Sequence, residues 1–132
     1  MSPDDPPADD LVPYVLRLRE RAVRDITAAY VRFAEVVSVA IADEWRDGLM
    51  DTIAGLATLP RRYPVAPERF RGEVRQLRYQ RPGSQVAYRV LFTITGEQAQ
   101  SPDPPAVIIL HVRHATTRRM TRTQIREIES AE

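Results

Sequence analysis

The chain has 132 residues, of which 43% are hydrophobic and 28% charged, and this composition is typical of one globular domain with a real core. It contains no cysteine, and every one of its 19 Lys+Arg residues is arginine, so disulfides, thiol catalysis, cysteine-ligated zinc and a lysine base or nucleophile are all excluded. Its net charge of +1 excludes a strongly acidic or basic protein as a whole.

No apolar run approaches the length of a membrane span, and residues 1–10 do not resemble a signal peptide. The sequence therefore predicts a cytoplasmic protein without a membrane partner. Two histidines three residues apart on one strand are a poor basis for metal binding, so we expect no metal site and no cofactor.

The charges are distributed unevenly along the chain. Residues 1–10 hold four aspartates, whereas residues 61–89 hold eight arginines against Glu68 and Glu73. The arginines of that segment are Arg61, Arg62, Arg69, Arg71, Arg75, Arg78, Arg81 and Arg89. A basic cluster of this kind usually forms a solvated surface, yet it also makes a phosphate backbone or an acidic protein the leading partner.

The N-terminal part of the chain predicts a tail and then a strand. Residues 1–10 are rich in Pro and Asp and are expected to form a flexible acidic tail, with residues 11–132 as a single domain. Residues 14–19 alternate apolar and basic side chains, which predicts a short strand that pairs with the edge of a later sheet.

The next segment has the periodicity of two amphipathic helices. The first apolar stripe is Val23, Ile26, Tyr30, Phe33 and Val37, and the second is Ile41, Trp45, Leu49, Ile53 and Leu56. Ser38 is a candidate N-cap between them, with Asp43 and Glu44 expected in the first turn of the second helix. A single long helix is the alternative. The helical part is expected to end at Leu59-Pro60.

Three antiparallel strands are predicted at residues 72–80, 86–94 and 106–114. Residues 81–84 are typical of a turn, and residues 96–105 predict an exposed, mobile loop. Thr121 and Gln124 have the spacing of a capping box, which predicts a short C-terminal helix with Ile125 and Ile128.

This element order predicts an α+β domain: an N-terminal strand, a two-helix hairpin, and a three-strand meander in one sheet packed on the helices, followed by the C-terminal helix. In the middle strand Val86, Tyr88, Val90, Phe92 and Ile94 share one face, while Ala87, Arg89, Leu91 and Thr93 share the other. We expect the second face to be free of helices. Arg89 is then either an ordinary half-exposed arginine stacked on Tyr88 or Tyr79, or an anion-binding residue on a concave face.

Four segments resemble the RelE/ParE superfamily of toxins from type II toxin–antitoxin modules. They are WRDGLMDTIAGLATLPRRYPVAPE at 45–68, EVRQLRY at 73–79, YRVLFTI at 88–94 and VIILHVRHATTR at 107–118. The order of these segments and their spacing are most similar to the ParE side of the superfamily. The resemblance covers most of the chain from Tyr14 onward and leaves out residues 1–10 and 96–105.

The resemblance implies two possible targets. A ParE-like toxin would bind DNA gyrase without catalysis, whereas a RelE-like toxin would cleave mRNA on the ribosome; either would be neutralised by a cognate antitoxin. In the ribosome-dependent nucleases an arginine of a Tyr-Arg motif binds the mRNA backbone, and Arg89 matches it. The lysines expected on the preceding strand are replaced by Val74, Gln76 and Arg78, and the C-terminal tyrosine by Thr121.

If the chain is a nuclease, a histidine must transfer the proton, because an arginine does not act as a base near neutral pH. His114 is the candidate, with His111 near it and Glu73 behind; alternatively His111 packs in the sheet and His114 caps a strand. The residues predicted to bind the target or its phosphates are Arg75, Arg78, Arg89, Arg113 and Arg118. A basic nucleic-acid-binding domain without toxicity is the third possibility.

Overall fold

The computed structural model describes residues 13–130, so the predicted tail at residues 1–10 lies outside it. The strands are β1 (Val15–Leu18), β2 (Arg75–Gln80), β3 (Ala87–Thr95) and β4 (Ala106–His114), and the helices are α1 (Glu20–Val36), α2 (Val39–Ala54) and α3 (Arg122–Ser130). Two single 3-10 turns, Gly55–Ala57 and Pro60–Arg62, follow α2. The predicted α+β class and element order are confirmed. Within residues 13–130 no helix is long and apolar enough to cross a membrane.

The four strands form one sheet in the order β1-β4-β3-β2. The strands β2, β3 and β4 are the predicted antiparallel meander, and β1 pairs in parallel with β4 at one edge. The strand β2 begins at Arg75 rather than at residue 72. The reason is that the amides of Arg71 and Gly72 donate to the carboxylate of Glu129, at 2.8 and 2.6 Å, instead of entering a strand ladder.

The two helices of the hairpin pack on one face of the sheet, which we call the first face. Trp45 lies at the centre of this core, with its ring 5.2 Å from that of Phe33 and 5.1 Å from that of Tyr88. The second predicted stripe is confirmed at Trp45, Leu49, Ile53 and Leu56, which are buried, while Ile41 is only partly buried. The first stripe is confirmed only in part: Val23 and Val37 are exposed, and the small side chain of Ala22 is buried instead.

The helical segment is broken at Ser38, as predicted. The Ser38 side chain accepts a hydrogen bond from the amide of Ile41 at 3.1 Å and so caps α2. Because α2 already begins at Val39, Asp43 and Glu44 fall in its second turn, and the expectation that they lie in the first turn is wrong.

We call the other face of the sheet the second face. The prediction that it is free of helices is wrong, because α3 packs against it. A second core forms there from Ala66, Val74, Leu91, Leu110, Met120 and Ile128, with Phe70, Ile108 and Ile125 packed against it. The helix α3 supplies Ile125 and Ile128. Its predicted capping box is present: the Thr121 amide donates to the Gln124 side chain at 2.9 Å, and the Gln124 amide donates to the Thr121 hydroxyl at 3.1 Å. Leu91 and Leu110 point away from the first face, so this apolar surface requires a cover of its own.

The edge of β4 changes partner along its length. Its first half pairs with β1, and the last bond of that pairing runs from the Arg19 amide to the Ile109 carbonyl. Beyond a bulge at Leu91/Phe92, the amide of Val112 donates instead to the carboxylate of Asp25 on α1, at 3.0 Å. The same carboxylate lies 2.6 Å from Nδ1 of His111. A side chain therefore takes the place of a neighbouring strand here.

The packing of α2 against Tyr79 of β2 requires a glycine at residue 48. A β-carbon at residue 48 would collide with the hydroxyl of Tyr79, whose ring is buried and whose hydroxyl donates to the Trp45 carbonyl at 3.2 Å. Gly48→Ala should lower the free energy of unfolding by about 1–3 kcal/mol, although alanine favours a helix interior by about 1 kcal/mol. Chemical denaturation measures the difference.

Gly55→Ala is the matched control, because a β-carbon there meets nothing nearer than 4.0 Å, and its stability should stay close to that of the wild type. In a Tyr79→Phe background, Gly48→Ala should cost less, since the colliding oxygen is gone. A Gly48→Ala protein as stable as the wild type would contradict this account.

Candidate functional site

Three arginines lie side by side on the second face of the sheet. In the strand register Arg78 on β2 pairs with Arg89 on β3, which in turn pairs with Arg113 on β4. We call these three residues the arginine row. Burial and the neighbouring charge of Arg89 lower the pKa of Arg113, whose guanidinium also donates to the carbonyl of Arg118 at 2.8 Å. Three adjacent cations on a sheet require anions to offset their repulsion.

One of those anions is Glu68, from the segment between the helices and β2. Its two carboxylate oxygens accept from Nη1 and Nη2 of Arg89 at 2.8 and 2.7 Å, a bidentate ion pair. Gln76 accepts from Nε of the same guanidinium at 2.9 Å. The hydrogen bonds from Arg89 hold the pKa of Glu68 below its usual value.

This pairing answers the question that the sequence left open about Arg89. Its side chain is only 16% exposed and that of Glu68 only 14%. The predicted stacking on Tyr88 or Tyr79 is wrong, because both rings belong to the core of the first face. Glu68 is the partner that sequence reasoning missed, and the available signal was that only two carboxylates, Glu68 and Glu73, lie among the eight arginines of residues 61–89.

Two of the predicted site arginines lie outside the row. Arg75 alternates to the opposite face of β2, where its guanidinium donates to Glu73 at 2.8 Å and to the Tyr63 carbonyl at 2.5 Å. Arg118 is exposed in the segment after β4 and contacts the row through its carbonyl oxygen. The structure therefore brings together Arg78, Arg89 and Arg113 and leaves Arg75 and Arg118 apart from them.

The histidine that could act as a base is also placed away from the row. His114 pairs with Tyr88 in the register, on the first face, and the two ring centroids are 5.4 Å apart. Its Nδ1 accepts from the Thr116 amide at 3.2 Å. Glu73 does not stand behind the histidines, since Arg75 and Arg61 bind its carboxylate and hold its pKa below the usual value.

The arginine row can therefore bind an anion, but His114 is not on its face. His111, which pairs with Leu91 in the register, is the imidazole on that face, and its Nδ1 lies 2.6 Å from the carboxylate of Asp25. Glu68 is held as a carboxylate by Arg89, which makes it a weak base. Within residues 13–130 no three histidine, aspartate or glutamate side chains are grouped so that they could hold a metal ion.

The comparison with solved structures agrees with this architecture. No protein-family model matches the chain, and no curated protein matches it. Among solved structures, a chain of a chromosomal ParDE toxin–antitoxin system from P. aeruginosa is similar, with a TM-score of 0.57 and 16% sequence identity. The match covers 76% of this chain and 95% of that one.

The fold is ParE-like. At this level of identity the similarity establishes the architecture and nothing more, so the resemblance noted in the sequence is confirmed for the fold. The ParE-like fold accounts for the order of strand, helical hairpin and meander. The arginine row and its ion pair with Glu68 are properties of this chain's own side chains.

Arg89→Ala is expected to lower the free energy of unfolding by about 1–3 kcal/mol, because the half-buried carboxylate of Glu68 would lose both of its charged hydrogen-bond donors. The melting temperature should fall by several degrees. Arg78→Ala is the control: this arginine is exposed, so its loss should change stability by less than about 0.5 kcal/mol. Equal melting temperatures for the two variants would contradict the structural role of Arg89.

The ion pair should also be visible in the pH dependence of stability. A carboxylate whose pKa is lowered by folding stabilises the protein above its unfolded pKa, about 4.5 for Glu68, and that contribution is lost as the pH falls through the folded value. Glu68→Gln should therefore be less stable than the wild type near neutral pH, with the difference shrinking below pH 4.5. Denaturation at a series of pH values measures it; a difference that does not depend on pH would rule out the charge as its cause.

Proposed function

We propose that this protein is the toxin of a type II toxin–antitoxin module, that it acts in the cytoplasm by binding DNA gyrase, and that a cognate antitoxin neutralises it. The ParE-like fold supports a toxin. The observation that carries the choice of target is the separation of the arginine row from His114, on opposite faces of the sheet.

This separation favours binding over RNA cleavage. Attack by a ribose 2′-OH needs a group that accepts a proton near neutral pH, within about 3 Å of the hydroxyl. On the second face an arginine does not accept a proton, Glu68 is paired with Arg89, and Nδ1 of His111 is hydrogen-bonded to Asp25. A surface that holds anions while its carboxylate and its imidazole each already have a partner suits a toxin that blocks a protein target.

The antitoxin contact is supported by an apolar surface at the break between α1 and α2. Val36, Val37 and Val39 are 75%, 58% and 59% exposed there. Val36 and Val37 also line a cavity of about 270 Å³, together with Arg32, Phe33, Val86, Tyr88 and His114. Exposed apolar residues around a cavity are typical of a protein-binding site, and a small antitoxin segment that folds on binding would cover them.

The RelE-like endonuclease is the second candidate, and the arginine row itself favours it. The superfamily's nucleases use the position of Arg89 for the mRNA backbone, and here Arg78 and Arg113 flank that position. The same row would serve a basic nucleic-acid-binding domain without toxicity, which is the third candidate.

His114→Ala is the variant that separates gyrase binding from RNA cleavage. A nuclease that uses His114 to transfer the proton would lose its activity, whereas a gyrase-directed toxin should still inhibit growth when the variant is expressed without antitoxin. Arg78→Ala should inhibit growth less than the wild type, with an unchanged melting temperature. If the purified protein cleaves mRNA on programmed ribosomes and His114→Ala abolishes the cleavage, the gyrase proposal is wrong.

Neutralisation is tested by co-expression with the product of the adjacent gene. We expect growth to recover and the two proteins to purify as one complex. Val36→Asp combined with Val39→Asp should weaken that complex, because charged side chains replace the apolar contact. A chain that expresses alone without inhibiting growth would count against the toxin proposal as a whole.

A further inference from the structure

A second basic surface, separate from the arginine row, lies where α3 meets the segment before β2. It is a cleft of about 750 Å³ lined by Pro67, Glu68, Arg69, Arg71, Arg119, Met120, Arg122, Ile125, Arg126 and Glu129. We call it the arginine cleft. Two of its arginines come from the segment before β2, and three come from the C-terminal segment and α3.

The positive charge of the cleft is not offset within the described part of the chain. None of the five guanidinium groups has an acidic partner within 4.0 Å among residues 13–130. The two carboxylates in the lining are already engaged: Glu68 pairs with Arg89, and Glu129 accepts from the backbone amides of Arg71 and Gly72. The cleft therefore presents five exposed cations to a ligand.

The same contacts fix the geometry of the cleft. The Glu129 carboxylate joins the end of α3 to one wall, and Ile128 is buried beneath it. Arg122 and Arg126 are one helical turn apart, so their side chains project from the same side of α3. Glu129 thus joins the two segments that carry the arginines, which reduces the entropy lost when an anion bridges them.

The lining also narrows the class of ligand. The uncharged lining consists of Pro67, Met120 and Ile125, and no aromatic side chain is among the lining residues. Single-stranded nucleic acids are held largely by stacking of their bases on aromatic rings, and this cleft offers none. Carboxylates separated by apolar side chains match it better, because arginine binds carboxylate bidentately and the apolar floor accepts the intervening residues.

We propose that the arginine cleft binds an acidic peptide segment with apolar residues between its carboxylates, and that the antitoxin supplies this segment. The choice of the antitoxin rests on the proposed function. The peptide chemistry rests on the cleft alone. The antitoxin would then hold the toxin at two separate places, the apolar surface around Val36 and this charged cleft.

The test of the cleft uses the purified full chain and a fluorescently labelled synthetic peptide that repeats Leu-Glu-Glu, with binding followed by anisotropy. Arg122→Gln combined with Arg126→Gln should weaken binding by at least about tenfold, because two charge-assisted contacts are lost. The matched control is Arg17→Gln with Arg24→Gln, which removes the same charge from two exposed arginines elsewhere. Its affinity should stay within about twofold of the wild type.

Two results would overturn the peptide proposal. Equal weakening by both double variants would mean that the peptide responds to net charge alone. Tighter binding of single-stranded oligothymidylate of the same charge, lost specifically in the cleft variant, would assign the cleft to nucleic acid. Melting temperatures of all variants confirm that they fold.

The antitoxin assignment is tested separately, by the affinity of the complex with the adjacent gene product. The cleft variant should bind that protein at least about tenfold more weakly than the control variant does. If the complex is unchanged while the synthetic peptide is lost, the cleft serves another acidic partner. Binding of the synthetic peptide does not depend on growth inhibition. A chain that does not inhibit growth would therefore refute the proposed function and leave the peptide measurement valid.

Discussion

The alternation of side chains along β3 is the constraint on which the rest of the structure depends. Val90 and Phe92 point into the core under the helical hairpin, while Leu91 points into the core under α3. A central strand with two apolar faces needs cover on both, and the two covers come from different parts of the chain. Arg89 places a positive charge on the otherwise apolar second face, and the carboxylate of Glu68 compensates that charge. The molecule is thus divided into an apolar half and a half that mixes apolar contacts with charge.

Much of this could be predicted from periodicity, because helices and strands impose their repeats locally. The α2 stripe, the Ser38 cap, the Thr121 capping box and the meander follow from residues near one another in sequence. The docking of α3 could not be predicted in the same way, since Ile128 packs in one cluster with Leu91 and Leu110, which are distant from it in sequence. The signal was nevertheless present: isoleucines at 125 and 128 and leucines at 91 and 110 all required burial.

The candidate site was harder to predict, because its charged residues do not recur with the repeat of a helix or a strand. Arg75 and Arg78 are three residues apart in one strand and therefore lie on opposite faces. The predicted set of binding arginines nevertheless included both of them, because it was drawn from the sequence without regard to the face. The same parity placed His114 away from Arg113. The partner of Arg89 lies 21 residues earlier in the chain, in an irregular segment. No local pattern identifies which carboxylate will meet a given guanidinium.

The carboxylate of Asp25 has a consequence for the behaviour of the protein in concentrated solution. Where β1 ends, the edge of β4 would otherwise expose an unpaired amide at Val112, and a free strand edge is a template for the strand of another molecule. Asp25 satisfies that amide and places a negative charge where an incoming backbone carbonyl would have to approach. A β1 of only four residues can therefore remain short without inviting edge-to-edge aggregation.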